Sequence, residues 1–128
     1  FSTAPSPAAA AAAKAGVDWV RSAEGEHRRQ LLWARVDDVK NVLTGSQWIV
    51  PVVRSAILPL MIGDETKAME IATALRARGV FIPAIRYPTV ARGEARLRLT
   101  VTATHSLADI EQLREVLAAS AQGKGGAA

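Results

Sequence analysis

The chain has 128 residues, 49% of them apolar, no cysteine and a formal net charge of +4. That is one domain's worth of polypeptide with enough apolar residues to bury a core, which excludes a disordered chain, a disulfide scaffold and a thiolate metal site. The basic balance alone would suit nucleic acid, but one tyrosine, two phenylalanines and three tryptophans form no basic-aromatic ladder for base stacking, so no nucleic-acid partner is expected.

The first element begins at Ser6 and Pro7, a capping hydroxyl followed by a proline that tolerates the first helical turn. The alanine run Ala8–Ala13 carries a helix on to about Ser22 and predicts close packing against another element. The run is too short to span a bilayer and has no basic segment before it, so neither a signal peptide nor a membrane contact is expected. The start at Phe1 is read as a point inside a longer polypeptide, and the absence of cysteine suits the cytoplasm. A second helix is predicted from Glu26 to Leu43, where Leu32, Val36, Val39 and Leu43 make one stripe at helical period, with Gly45 ending it.

The period then changes. The run "SAILPLMIG" reads as a strand, and Pro59 within it demands an edge position or a bulge. Asp64 caps a third helix, Glu65 to Arg78, with Ala68, Ile71, Ala72 and Leu75 inward and Gly79 at its end. "VFIPA" is a second predicted strand and "ARLRLTV" a third, with Leu97, Leu99 and Val101 on one face and Arg96, Arg98 and Thr100 on the other. Ser106 and Asp109 form a capping box before a last helix that runs to about Ala119, with Leu107, Ile110, Leu113 and Leu117 inward. The tail "AQGKGGAA" is expected to be disordered. The order of elements predicts an α+β domain, a small antiparallel or mixed sheet with helices on one face. The expected organisation is a lead-in and interdomain helix over 1–22, a small domain over 23–119 and a tail over 120–128.

Chemistry-bearing residues are sparse. His27 sits among charges at a helix start and reads as exposed, and His105 reads as structural at the corner before the last helix. Neither has metal-ligand spacing, so no metal is expected. There is no nucleophile elbow and no glycine-rich phosphate loop, and the lysines lie on predicted helix faces or in the tail. The arginines of "AIRYPTVARGEARLRLT" stand apart. Arginine's planar fork matches a carboxylate or phosphate with two parallel hydrogen bonds. On residue chemistry alone, a solvated surface and an anion site at Arg86, Thr89 and Arg98 both remain open.

"FSTAPSPAAAAAA", "AILPLMIGD" and "AIRYPTVARGEARLRLTVTATHSLADI" together resemble the carboxy-terminal part of the α-oxoamine synthases. These are pyridoxal-phosphate enzymes of the aspartate-aminotransferase fold type, and the resemblance implies that type's C-terminal small domain. Ile85-Arg86 before the proline is most similar to the branch that joins L-alanine to a pimeloyl thioester, whereas related synthases carry a neutral residue before the tyrosine. Tyr87 departs from that branch, which usually has proline there. The resemblance implies that Arg98 grips the amino-acid carboxylate, that Thr89 contacts substrate, and that Arg86 meets the acyl chain's distal carboxylate. It implies that Ser2 and Thr3 reach the cofactor phosphate of a second subunit in a homodimer. It also implies an acyl carrier, coenzyme A or a carrier protein, and puts the cofactor-bearing lysine upstream, so that this chain alone is expected to be inactive. Another α-oxoamine synthase activity and a non-catalytic amino-acid-binding module are the rival readings.

Overall fold

The computed structural model describes residues 4–122, with side chains to residue 120. Ser2 and Thr3 and most of the expected tail lie outside the described residues. The order is α1 (Pro7–Arg21), α2 (Ala23–Leu43), β1 (Ile57–Gly63), α3 (Glu65–Ala77), β2 (Ala84–Ile85), β3 (Ala95–Thr100) and α4 (Leu107–Gln122).

The three strands form one antiparallel sheet in the order β1-β3-β2. The clearest alternating segment of the sequence, β3, is therefore central. Pro59 lies on β1, an edge strand, where a missing N–H costs least, and the register shifts separately between Met61 and Gly63. Leu58 faces Leu99 and Leu60 faces Leu97 across the β1–β3 ladder. These four leucines, all nearly or wholly buried, form the sheet's side of the core. Val36, Val39 and Leu43 of α2, Leu75 of α3, and Ile110, Leu113, Val116 and Leu117 of α4 complete it. Helices cover that face, and the arginine side of β3 is left open: the fold is α+β, as the element order predicts.

The helix ends follow local chemistry. Ser6 Oγ accepts from the Ala9 N–H, Ser22 Oγ from Gly25 and Asp64 Oδ1 from Lys67. At α4 the box is reciprocal: Ser106 Oγ accepts from the Asp109 N–H while Asp109 Oδ2 accepts from the Ser106 N–H and hydroxyl. Those Ser106 donors hold the Asp109 carboxyl below the usual carboxylate range.

Three expectations are corrected. Helix α2 begins three residues earlier than predicted, because Ser22 caps it directly after α1 ends. The strand expected over Val80–Ala84 shrinks to Ala84–Ile85. The Val80 N–H is used by the end of α3, donating to the Leu75 carbonyl, and Pro83 has no N–H to give; its carbonyl accepts from Arg98 N, 2.9 Å. Leu107 is 64% exposed, since the first turn of α4 extends past the core, and Val116 takes an inward place instead. Helix α1 buries none of its residues and contacts α2 alone among the described elements.

The corner between α1 and α2 depends on Gly25. A Cβ there would stand 2.3 Å from the Val20 carbonyl oxygen and 2.6 Å from that of Trp19. Both are backbone atoms, so relief requires the helices to splay. Gly25→Ala is expected to destabilise the protein by about 1–3 kcal/mol, the range of overpacked sites, measured as a shift of the urea midpoint at constant slope. A midpoint equal to wild type would mean that the corner yields freely.

Candidate functional site

Residues opposed in an antiparallel ladder share a face. The register therefore places Thr100 beside Ile57, Arg98 beside Pro59, and Arg96 between Met61 and Ile85 on the sheet's open face. Ile49 joins this face through an isolated bridge to Met61, whose N–H donates to the Ile49 carbonyl. The result is two arginines on the central strand, flanked by exposed Ile49 and Ile57 and half-buried Met61 and Ile85.

The two arginines are in different states. Arg96 is spent locally: its Nε donates to the Glu94 carbonyl at 3.0 Å and its Nη2 to Glu94 Oε2 at 3.1 Å. Glu94 lies two residues before Arg96, and that i, i+2 spacing along an extended chain was a signal available in the sequence. Arg98 is exposed, and among the described residues no carboxylate pairs with it. Its backbone is fixed by the rung to Pro83, so a free guanidinium stands on a rigid, central strand with apolar neighbours.

Arg86 and Thr89 lie in the connection between β2 and β3. The Arg86 carbonyl accepts from the N–H of Thr89 at 2.9 Å and of Val90 at 3.4 Å, closing a turn that contains a cis Tyr87–Pro88 bond. A second turn follows, with the Glu94 N–H donating to the Ala91 carbonyl and Gly93 at φ 79°, a value that favours glycine. Arg86 and Thr89 are both exposed. The hairpin brings the connection to the same end of the sheet as Arg96, but among the described residues no hydrogen bond joins the side chains of Arg86, Thr89 and Arg98. Stacked cations are a feature that the sequence reading missed: the Arg92 guanidinium lies 4.4 Å from the Tyr87 ring centroid, and Arg54 stands over Trp33 at 5.3 Å.

His27 is exposed on α2, and His105 Nδ1 accepts from the Thr102 N–H at the corner before α4. Lys14 pairs with Asp18, and Lys40 Nζ donates to the Val53 carbonyl, tying down the loop before β1. No described helix is long and apolar enough to cross a membrane.

A family model described as aminotransferase class I and II matches residues 1–117. An 8-amino-7-oxononanoate synthase of Herminiimonas arsenicoxydans is 40% identical over 120 residues, covering 94% of this chain and 31% of that protein. The Salmonella newport 8-amino-7-oxononanoate synthase is 44% identical over 117 residues, covering 91% of this chain and 30% of that protein. The chain thus spans about a third of the length of these curated relatives. Among solved structures, serine palmitoyltransferase from S. paucimobilis with bound PLP–myriocin aldimine superposes with a TM-score of 0.84 at 22% identity, over 96% of this chain and 31% of that one. The 8-amino-7-oxononanoate synthase of Francisella tularensis gives 0.63 at 16% identity, over 77% of this chain and 28% of that one. At these identities the structural likeness speaks for the fold.

Proposed function

Because the chain belongs to the class I and II aminotransferase family, we propose that it is the C-terminal small domain of an 8-amino-7-oxononanoate synthase. In this reading the full protein, a cytoplasmic homodimer of biotin biosynthesis, joins L-alanine to a pimeloyl thioester of coenzyme A or a carrier protein. Alanine Cα gives up its proton and bonds to the thioester carbonyl carbon. The C–S bond breaks to release the carrier thiol, the alanine carboxylate leaves as carbon dioxide, and the electron pair left on Cα takes up a proton from solvent. The names and identities of the curated relatives support this choice within the family.

The observation that carries the reading is the contrast along β3. Arg96 is neutralised by Glu94, while Arg98, two residues on and on the same face, has a free fork on a rigid strand. In this reading Arg98 holds the alanine carboxylate through two charge-assisted hydrogen bonds and so orients the Cα for attack. Thr89 contributes a hydroxyl to the substrate, and Arg86 meets the distal carboxylate of the acyl chain. Pyridoxal phosphate, when bound, supplies the electron sink for charge developing at Cα. The described residues fit the substrate's carboxylates rather than the cofactor itself. Lys14 and Lys40 are engaged in the contacts above, and Lys67 is exposed on α3. Ser2 and Thr3, proposed to meet the cofactor phosphate, lie outside the described residues. In this reading, as the family resemblance implies, the cofactor-bearing lysine lies upstream of these residues in the full protein, and this chain does not turn over alone.

The test is turnover by the full-length protein, comparing pimeloyl thioester with the uncharged heptanoyl thioester. Wild type is expected to favour pimeloyl, and Arg86→Asn to lose about tenfold of that preference, a loss of one charge-assisted contact. Equal losses with both substrates would assign Arg86 a structural role, and no product from alanine and pimeloyl thioester would overturn the proposed activity.

A further inference from the structure

The turn after β2 carries more positive charge than the single arginine at Arg86 accounts for. Arg92 lies over the Tyr87 ring at 4.4 Å, next in sequence to Arg86. The connection from Arg86 to Glu94 contains one acid, Glu94, and that acid is engaged by Arg96. Among the described residues neither Arg86 nor Arg92 pairs with a carboxylate. A lone exposed arginine would lose much side-chain freedom on binding an anion. Stacking on an aromatic face removes part of that loss beforehand and leaves the guanidinium edge, with its N–H donors, free to bind. Arg86 adjoins Tyr87, so the two arginines belong to one turn, closed by the hydrogen bonds from the Thr89 and Val90 N–H groups to the Arg86 carbonyl. The tyrosine ring itself, 47% exposed for the residue, offers an apolar wall along which methylene groups can lie.

We infer that Arg92, held on Tyr87, is a second cation of the acyl-carboxylate site, acting with Arg86 as a two-arginine clamp on the far end of a dicarboxylic acyl chain. The inference rests on the proposed role of Arg86, and it assigns a specificity function to Tyr87 and Arg92. Tyr87 positions Arg92, and Arg92 touches the ligand.

Binding of free pimelate and of heptanoate to the full-length protein, measured by titration calorimetry, tests this without requiring turnover. A failure of the synthase reaction is therefore distinguishable from a failure of the clamp. Arg92→Gln is expected to lower the pimelate-to-heptanoate affinity ratio about tenfold, and Tyr87→Leu to lower it by a smaller factor because the cation remains but is no longer held. Arg86→Asn with Arg92→Gln is expected to lose less than the product of the two single losses, as partners on one anion do. A ratio in Arg92→Gln equal to wild type would overturn the clamp, as would strictly multiplicative losses or a wild type that does not prefer pimelate.

Discussion

Arg98→Ala in the full-length protein is expected to weaken L-alanine binding by about 2–5 kcal/mol, the range for removing one partner of a hydrogen-bonded charge pair. The size follows from the setting. Arg98 stands on the central strand with apolar Pro59 opposite and, among the described residues, no acid paired with it, so in the proposed function the alanine carboxylate is its counter-charge. Arg98→Lys should recover little, because an ammonium cannot form the two parallel bonds of the guanidinium fork. Arg96→Ala is the internal control: that side chain is occupied by Glu94, and its loss should leave alanine affinity nearly intact. Equal affinity in Arg98→Ala and wild type would remove the assignment.

Leu97→Ala is expected to destabilise the fold by about 2–5 kcal/mol, the cost of deleting a buried leucine that its neighbours cannot replace. Leu97 is fully buried, opposite Leu60 on one side and Ala84 on the other, so the gap opens at the centre of the sheet. Thr100→Ala on the open face should change stability by no more than about 0.5 kcal/mol. Urea denaturation of both variants would check the face assignment directly. A large effect at Thr100 with a small one at Leu97 would invert the sheet.

What the sequence disclosed is uneven for physical reasons. The alternation of "ARLRLT" gave both faces of β3, because a central strand with one buried side has no freedom in its register. The starts of α1, α3 and α4 were legible because Ser6, Asp64 and the Ser106–Asp109 box act locally, whereas Ser22 was read only as the end of α1 and not as the cap of α2. The short β2 was misjudged because its rungs depend on which neighbouring N–H groups are already used, and the Val80 N–H closes α3. Periodicity alone cannot reveal that competition. At the candidate site, Arg96 and Arg98 were placed together on the open face, where the register puts them, but the sequence reading did not use Glu94 to separate them. The stacking of Arg92 on Tyr87 depends on the path of the turn between Arg86 and Glu94, which local propensity does not encode.

The corner at Gly25 makes α1 a lever. Its 15 residues extend about 22 Å at 1.5 Å per residue, and no second element steadies them among the described residues. A rotation of about 10° at the corner would sweep the far end by about 4 Å over that length. Reacting groups tolerate displacements nearer 1 Å. The missing side chain at one position in the helix pair thus sets where the amino-terminal end of α1 points, and a single added methyl would act as a steering error, felt at the tip far more than at the pivot.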